Sequence, residues 1–352
     1  MTVQDLCEQV QPLNREAVER SCCRWDAVAK PLGSLGELEK LVTRICGICG
    51  TDDPDLSRKA VLVFCADNGV VAEGVSQSPQ AVTATVARSL ARGTSSVCAM
   101  AKVAGADVLP VDVGMAERVN EQGLLDRCVR RGTDNLAEGL AMTRAEAERA
   151  ILIGAELVRT LKEQGYGLLA VGEMGIGNTT TSAAVVAALL GLPPEQVTGR
   201  GAGLSDDGLV RKQYAIRRGL EMNHPDPEDP LEVLSSVGGL DIAAMLGVYL
   251  GGAVYRVSVV MDGYISAAAA LCAVRLCPSL KDYLLPSHQS AEPAAALVMR
   301  ALGLHPVLRA GLRLGEGTGA VALMPLLDMA LAVYRSAGTF DDIGMEAYQK
   351  LS

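Results

Sequence analysis

The sequence predicts an α/β protein: a parallel sheet with helices on both faces, joined to a smaller helical part drawn from both chain ends. Three observations carry this. Short apolar runs at 60–66 (AVLVFCA), 106–113, 168–171 (LLAV) and 257–261 have the length and composition of strands buried on both faces. Each run is followed by a polar or glycine-rich turn and then by helical spacing, as in units that cross over between parallel strands. The outer segments, 1–51 and 305–352, carry helical patterns without a strand run, and chain ends often lie close together. The expected division is therefore a large unit, 52–304, and a small helical unit made of 1–51 with 305–352.

In order, 14–30 and 34–50 read as helices, from Val18, Cys22, Trp25 and Val28 and then Leu35, Leu38, Val42 and Ile45. Ser34 is the expected cap of the second, with Glu37 three positions on. Residues 51–54 form a polar break. The strand at 60–66 runs into Asp67-Asn68-Gly69, placed where open parallel sheets bind ligands. A loop with Glu73, Ser76 and Ser78 leads to a helix from about Pro79. Residues 144–162 read as a helix, 199–208 as a glycine-rich turn capped by Ser205 and Asp206-Asp207, and 231–254 as helix interrupted at Gly238-Gly239. Helices are expected at 265–276 and 294–302. A third glycine-rich turn, 312–319, precedes an apolar helix from Ala320 to about Val333, and the last stretch is short and amphipathic.

The 352 residues suffice for one large domain and a smaller one. Hydrophobic residues make up 49% and aromatics 3%, so the core is built from small and branched side chains. A net charge of −9 speaks against a basic nucleic-acid surface. No basic start followed by an apolar core marks a signal peptide. The longest apolar window, 242–261, is glycine-rich and broken at Tyr255-Arg256, so it reads as core and no membrane span is expected. Ten cysteines at irregular spacing point to reduced thiols and a cytoplasmic protein. Cys46 and Cys49 form one C-x-x-C without a second pair or a nearby His, so free helix thiols are expected there. His224, His288 and His305 are too scattered for a zinc-protease motif. Neither a metal nor a cofactor is expected.

The stretch 167–190, GLLAVGEMGIGNTTTSAAVVAALL, organises the chemistry. A strand, a glycine-rich turn and a helix start together make an anion site, because the unpaired N–H groups of the first helical turn point at the ligand. Asn178, Thr179, Thr180, Thr181 and Ser182 offer capping side chains. Residues 172–179 spell G-x-x-x-x-G-N-T, a triphosphate loop with its lysine replaced by Asn178, and Thr180 stands where the dinucleotide pattern needs its third glycine. A single phosphate fits better than a chain of them. The alternative is a glycine-rich turn that binds nothing.

Four carboxylates lie in glycine-flanked turns: Asp67, Glu173, Asp262 and Glu316. Apolar sequence around Glu316 favours a raised pKa and a general-base role, while a carboxylate stabilising the helix from Thr318 onward is the other reading. Lys212, after the second glycine-rich turn, is either a phosphate partner or a solvent-exposed lysine. Ser287-His288 invites a hydrolase reading, but adjacent residues are not expected to form the needed hydrogen bond, and G-x-S-x-G is absent. Asp206-Asp207 could suggest a magnesium pair, but it does not follow an apolar strand.

The motifs KPLGSLGELE, ADNGVVAEGVSQSPQAVT, GEMGIGNTTTSAA, GRGAGLSDDGL, DGYISAAA, SHQSAEP and LRLGEGTGA resemble, in their order, those of the nicotinate-nucleotide–dimethylbenzimidazole phosphoribosyltransferases, and they cover about residues 31 to 330. The resemblance implies a Rossmann-like parallel sheet with a small helical domain from both chain termini, and a homodimer. It implies transfer of the ribosyl phosphate of nicotinate mononucleotide to a nitrogen of 5,6-dimethylbenzimidazole, with Glu316 as general base and no metal. It places Gly175, Gly177, Asn178 and Thr179, assisted by Lys212, on the phosphate and ribose side of the mononucleotide. Glu173 and Ser290 fall close to the reacting centre, Ser78 at the base pocket, and Asp262 and Gly315 in the turns that border the substrates. Relatives often read ADHGV where this chain has Asn68, and some carry a longer polar residue at Thr85. Both positions are expected near the base pocket, which leaves the attacking base open. A magnesium-dependent nucleotide kinase and a non-catalytic sensor of the base are the competing classes.

Overall fold

The computed structural model of the chain describes residues 1–348. Six strands form one sheet: β1 (Lys59–Ala66), β2 (Ala106–Gly114), β3 (Leu125–Asp126), β4 (Leu168–Met174), β5 (Ser258–Met261) and β6 (Leu284–Pro286). Every pairing is parallel, and the spatial order is β3-β2-β1-β4-β5-β6. The order reverses between β1 and β4, and a sheet of this order opens a crevice at the carboxyl ends of those two strands. The whole of β1 is buried, so both sheet faces are covered, which accounts for its continuous apolar run.

Helices α1 (Val3–Gln9), α2 (Arg15–Ala27) and α3 (Glu37–Cys49) precede the sheet. Between β1 and β2 lie α4 (Ala81–Ala91) and α5 (Ser96–Ala104), and α6 (Arg144–Glu163) leads into β4. From β4 to β5 the chain forms α7 (Asn178–Leu190), α8 (Pro194–Val197), α9 (Asp206–Asn223), α10 (Pro230–Val237) and α11 (Leu240–Tyr255). Then come α12 (Tyr264–Leu276), α13 (Ala295–Leu302) and α14 (Thr318–Ser336). Glycines let α6 and α11 approach closely. A Cβ at Gly154 would lie 2.1 Å from the Ala244 carbonyl oxygen, and one at Gly247 would lie 1.9 Å from that of Ile151. The chain ends meet: the Trp25 and Tyr334 rings lie 4.9 Å apart, Arg24 Nε donates to the Tyr334 carbonyl at 2.9 Å, and Val28 bridges to Thr339.

Several local expectations change. Helix α1, fixed by a Thr2–Asp5 capping box, is too short to show a period. Strands β3 and β6 are too short to stand out as apolar runs. Ser34 does not cap α3. Gly36 does, at φ +58°, while the Ser34 N–H donates to the Pro31 carbonyl. The preceding turn is tied by Glu39, not Glu37: its Oε1 accepts from Leu35 N at 2.9 Å and from Lys30 Nζ at 2.7 Å. Glu173 lies within β4, paired with Phe64, and not in a turn. Among the described residues, α14 and not 242–261 is the helix long and apolar enough to cross a membrane. It holds Pro325 and is more than half buried against the rest of the chain, as a core helix would be. The final residues of the expected amphipathic stretch, 349–352, lie outside the described residues.

Candidate active site

A cleft of about 310 Å³ opens at the carboxyl ends of β4 and β5. One wall is the turn from β4 to α7. Only glycine fits at Gly175, where a Cβ would sit 2.4 Å from the Ala66 carbonyl oxygen. Gly177, at φ +93°, caps α7 without any side-chain hydrogen bond. The expected side-chain caps are not used: Asn178 to Ser182 are already helical, and Thr181 Oγ1 donates back to the Asn178 carbonyl. The α7 N-terminus therefore faces the cleft without a side-chain acceptor, the arrangement in which a helix holds an anion.

Lys212 reaches this wall from α9. Its Nζ donates to Thr179 Oγ1 at 2.7 Å and to the Gly199 carbonyl at 3.1 Å. It is fully buried, which overturns the solvent-exposed reading. Burial pushes its ammonium down to about 8, against the opposing pull of the Glu292 carboxylate.

The cleft is also lined by Glu316. Gly315, Glu316 and Gly317 all have positive φ, at +89°, +58° and +83°. The turn lies directly on β4: a Cβ at Gly172 would meet the Glu316 carbonyl carbon at 2.5 Å, and the Glu316 N–H donates to the Glu173 carbonyl at 3.3 Å. The Glu316 side chain is half-buried. Its Oε2 accepts from Val97 N at 3.2 Å, so it stabilises the first turn of α5 and not that of α14. The α14 N-terminus is held instead by Asp262, whose Oδ1 accepts from Gly319 N at 2.8 Å and Ala320 N at 3.1 Å.

Burial raises the carboxyls of Asp67, Asp241 and Asp262 above the usual range, and Glu173 with them. Burial first, and then the charge of Asp241, push Glu173 up to about 8. The Asn178 amide donates to Glu173 Oε2 and, at 3.1 Å, to Asp241 Oδ2. Asn178 thus borders the cleft with its amide turned beneath the loop. Sequence reasoning missed Asp241. The signal was present, since it is the one acid in an otherwise apolar run after Gly238-Gly239.

Ser290 is buried at the cleft, its Oγ accepting from Glu292 N at 3.3 Å. Ser78 borders the cleft from the loop before α4, where its N–H donates to Ser76 Oγ at 3.1 Å. Val75 and Val82, from the same part of the chain, and Leu314, from the Glu316 turn, add apolar surface to the cleft. Asn68 and Thr85 do not line the cleft. Asn68 is buried beneath the loop, donating to the Ile176 carbonyl, and Thr85 is exposed on α4. Arg200, Glu292 and Arg313 also line the cleft, and the first two were not singled out in the sequence.

Ser287 Oγ and His288 Nδ1 are 3.1 Å apart, so these neighbours do make the contact judged out of reach. No hydrolase triad results. Asp262 Oδ1 lies 3.9 Å from the same Nδ1, whereas a triad needs acid and nucleophile on opposite ring nitrogens. Asp206 pairs with Arg200 beside the Ser205 cap of α9. Cys46 and Cys49 lie on α3, with Cys49 Sγ 3.9 Å from Ser258 Oγ.

Comparisons with known proteins agree in one direction. A family model described as "Phosphoribosyltransferase" matches residues 10–345. The nicotinate-nucleotide–dimethylbenzimidazole phosphoribosyltransferase of Acetivibrio thermocellus is 46% identical, covering 97% of each chain. The one from Ruminiclostridium cellulolyticum is 44% identical over the full length of both. The crystal structure of CobT from Thermus thermophilus superposes with a TM-score of 0.90 at 45% identity, covering 95% of this chain and 100% of that one.

Proposed function

Because the chain belongs to the nicotinate-nucleotide–dimethylbenzimidazole phosphoribosyltransferase family, we propose that it moves the 5-phosphoribosyl group of nicotinate mononucleotide to 5,6-dimethylbenzimidazole or a related base. Nicotinate leaves, and the product is the α-riboside 5′-phosphate used for the nucleotide loop of cobalamin and cobamides. The observation that carries this is one cleft bordered both by an uncapped helix N-terminus, backed by a buried lysine bonded to Thr179, and by the Glu316 turn seated on β4.

The donor's phosphate and ribose lie along Gly175, Gly177, Asn178 and Thr179, with Lys212 supplying positive charge. Asn178 acts there through its backbone, since its amide is taken up by the two carboxyls. Glu316 takes a proton from one benzimidazole nitrogen while the other attacks the anomeric carbon, with inversion. The pyridinium leaving group departs as neutral nicotinate nitrogen, so departure needs no metal. A carboxylate near the ribose stabilises the positive charge that builds on it. Glu173 and Ser290 stand at the reacting centre, Ser78 and Leu314 border the base, and Gly315 and Asp262 hold the turn that carries Glu316. The same reading takes the two chain ends as the small helical domain, and the protein as a cytoplasmic homodimer.

The test is direct. Purified protein given nicotinate mononucleotide and 5,6-dimethylbenzimidazole, without magnesium, should release nicotinate and form a product of the riboside phosphate's mass. Base binding with no nicotinate release over a long incubation would leave only a binding protein. Assaying several bases in competition identifies the preferred acceptor.

A further inference from the structure

Helix α11 is buried along nearly its whole length, and Asp241 at its first turn is the acid within it. The side chain is fully buried. Its partner is an amide and not a cation: Asn178 Nδ2, which also donates to Glu173 Oε2. One nitrogen therefore joins two carboxyl groups. The charges that act most strongly on Glu173 are carboxylates, Asp241 from α11, Asp262 after β5 and Glu316 before α14, while Arg313 and Arg200 line the same cleft. The Cys65 thiol lies nearby on β1, Asp67 faces Asp241 from the end of that strand, and His288 stands beside Asp262. In so dry a site two linked carboxyls do not both stay ionised.

The partners decide which one keeps the proton. Asp241 Oδ1 also accepts from Ile242 N at 3.0 Å, at a helix N-terminus that favours negative charge. The proton therefore falls to Glu173. Since Oε2 accepts from Asn178, the hydroxyl is Oε1. That oxygen lies against Gly315, where a Cβ would come within 2.5 Å of it, on the cleft wall.

We propose that Asp241 is a positioning residue for the transfer reaction, which through the Asn178 amide fixes Glu173 and keeps it a neutral acid. The cleft then meets its substrates with Glu316 as proton acceptor and Glu173 as hydrogen-bond donor, with one fewer negative charge opposing the donor's phosphate. The burial-driven rises, to about 8 for Glu173 and about 6 for Asp241, fall in the order this requires.

This deepens the reading of the cleft given above, but its test needs no turnover. In an infrared titration of the full-length protein, the carboxylic-acid C=O band that Glu173→Gln removes should be present at neutral pH. In Asp241→Asn, where the neighbouring charge is gone, the band should titrate about one unit lower, a tenfold change in the proton equilibrium. Asp241→Glu should restore it. The alkaline limb of kcat should move down with the band. Lys212 titrates in the same range, so the limb is also read in Glu173→Gln, where Asp241→Asn should no longer shift it. If Asp241→Asn does not fold, Asp241→Ser is read in the same way. No band at neutral pH in the natural protein, or an unmoved midpoint in a folded Asp241 variant, overturns the assignment. Failure to release nicotinate, with the band behaving as stated, overturns the reaction instead.

Discussion

Glu316 adopts a left-handed backbone between two glycines that do the same. For a residue with a Cβ this costs about 1–2 kcal/mol. Glu316→Gly therefore separates chemistry from folding. The melting temperature should hold or rise, while kcat falls about 10²–10⁴-fold, the usual contribution of a general base. Glu316→Gln should lose as much turnover with donor affinity kept, which calorimetry on the mononucleotide would show. Lys212 makes a pH-dependent claim. Its ammonium, lowered to about 8, is charged below that pH and neutral above it. Donor KM should accordingly rise as pH passes upward through this range, and Lys212→Met should raise KM and flatten its pH dependence. A steep rise that survives in Lys212→Met would remove the lysine from the phosphate site. That Glu316 and Lys212 border the cleft region was open to sequence reasoning, because glycines flank one and a capped turn precedes the other, but the burial of Lys212 was not. Nor was the direction in which Asn178 turns, because it is set by Asp241, more than sixty residues away.

At the level of elements, the long strands and helices could be read from their periods, and the breaks at Gly238-Gly239 and after Met261 from their glycine and aspartate. What escaped was short or set by tertiary contact. Seven-residue α1 and the brief β3 and β6 have too few positions to show a pattern, and β4 extends to Met174 because β1 pairs with it that far. The tight crossing of α6 and α11 gives a stability prediction. Gly247→Ala would drive a methyl group into the Ile151 carbonyl and should destabilise the protein by about 1–3 kcal/mol, as overpacking does. An unchanged midpoint in urea would mean that the two helices separate freely.

For the molecule as a whole, Trp25 is the single tryptophan, and it packs on Tyr334 where the chain ends meet. Both belong to one contiguous apolar core that also contains the strands. Tryptophan fluorescence and far-ultraviolet circular dichroism should therefore report the same unfolding midpoint, the mark of a cooperative transition. An earlier fluorescence transition would show the end segments melting by themselves. The approach of the two ends was legible from their shared helical character, whereas the exposure of Thr85 and the burial of Asn68 depended on how α4 and the β4–α7 loop are turned.

The seating of the Glu316 turn upon Gly172 has one more consequence. With hydrogen as its only side chain, this residue lets two segments of backbone meet over the strand, so the proposed proton acceptor and the proposed phosphate cradle share a common chassis. Neither can be retuned without disturbing its counterpart. Adaptation to a bulkier or flatter nucleobase is left to the loop side, around Ser78 and Val82. Changes there should re-rank acceptors, whereas a methyl at 172 should slow all of them alike.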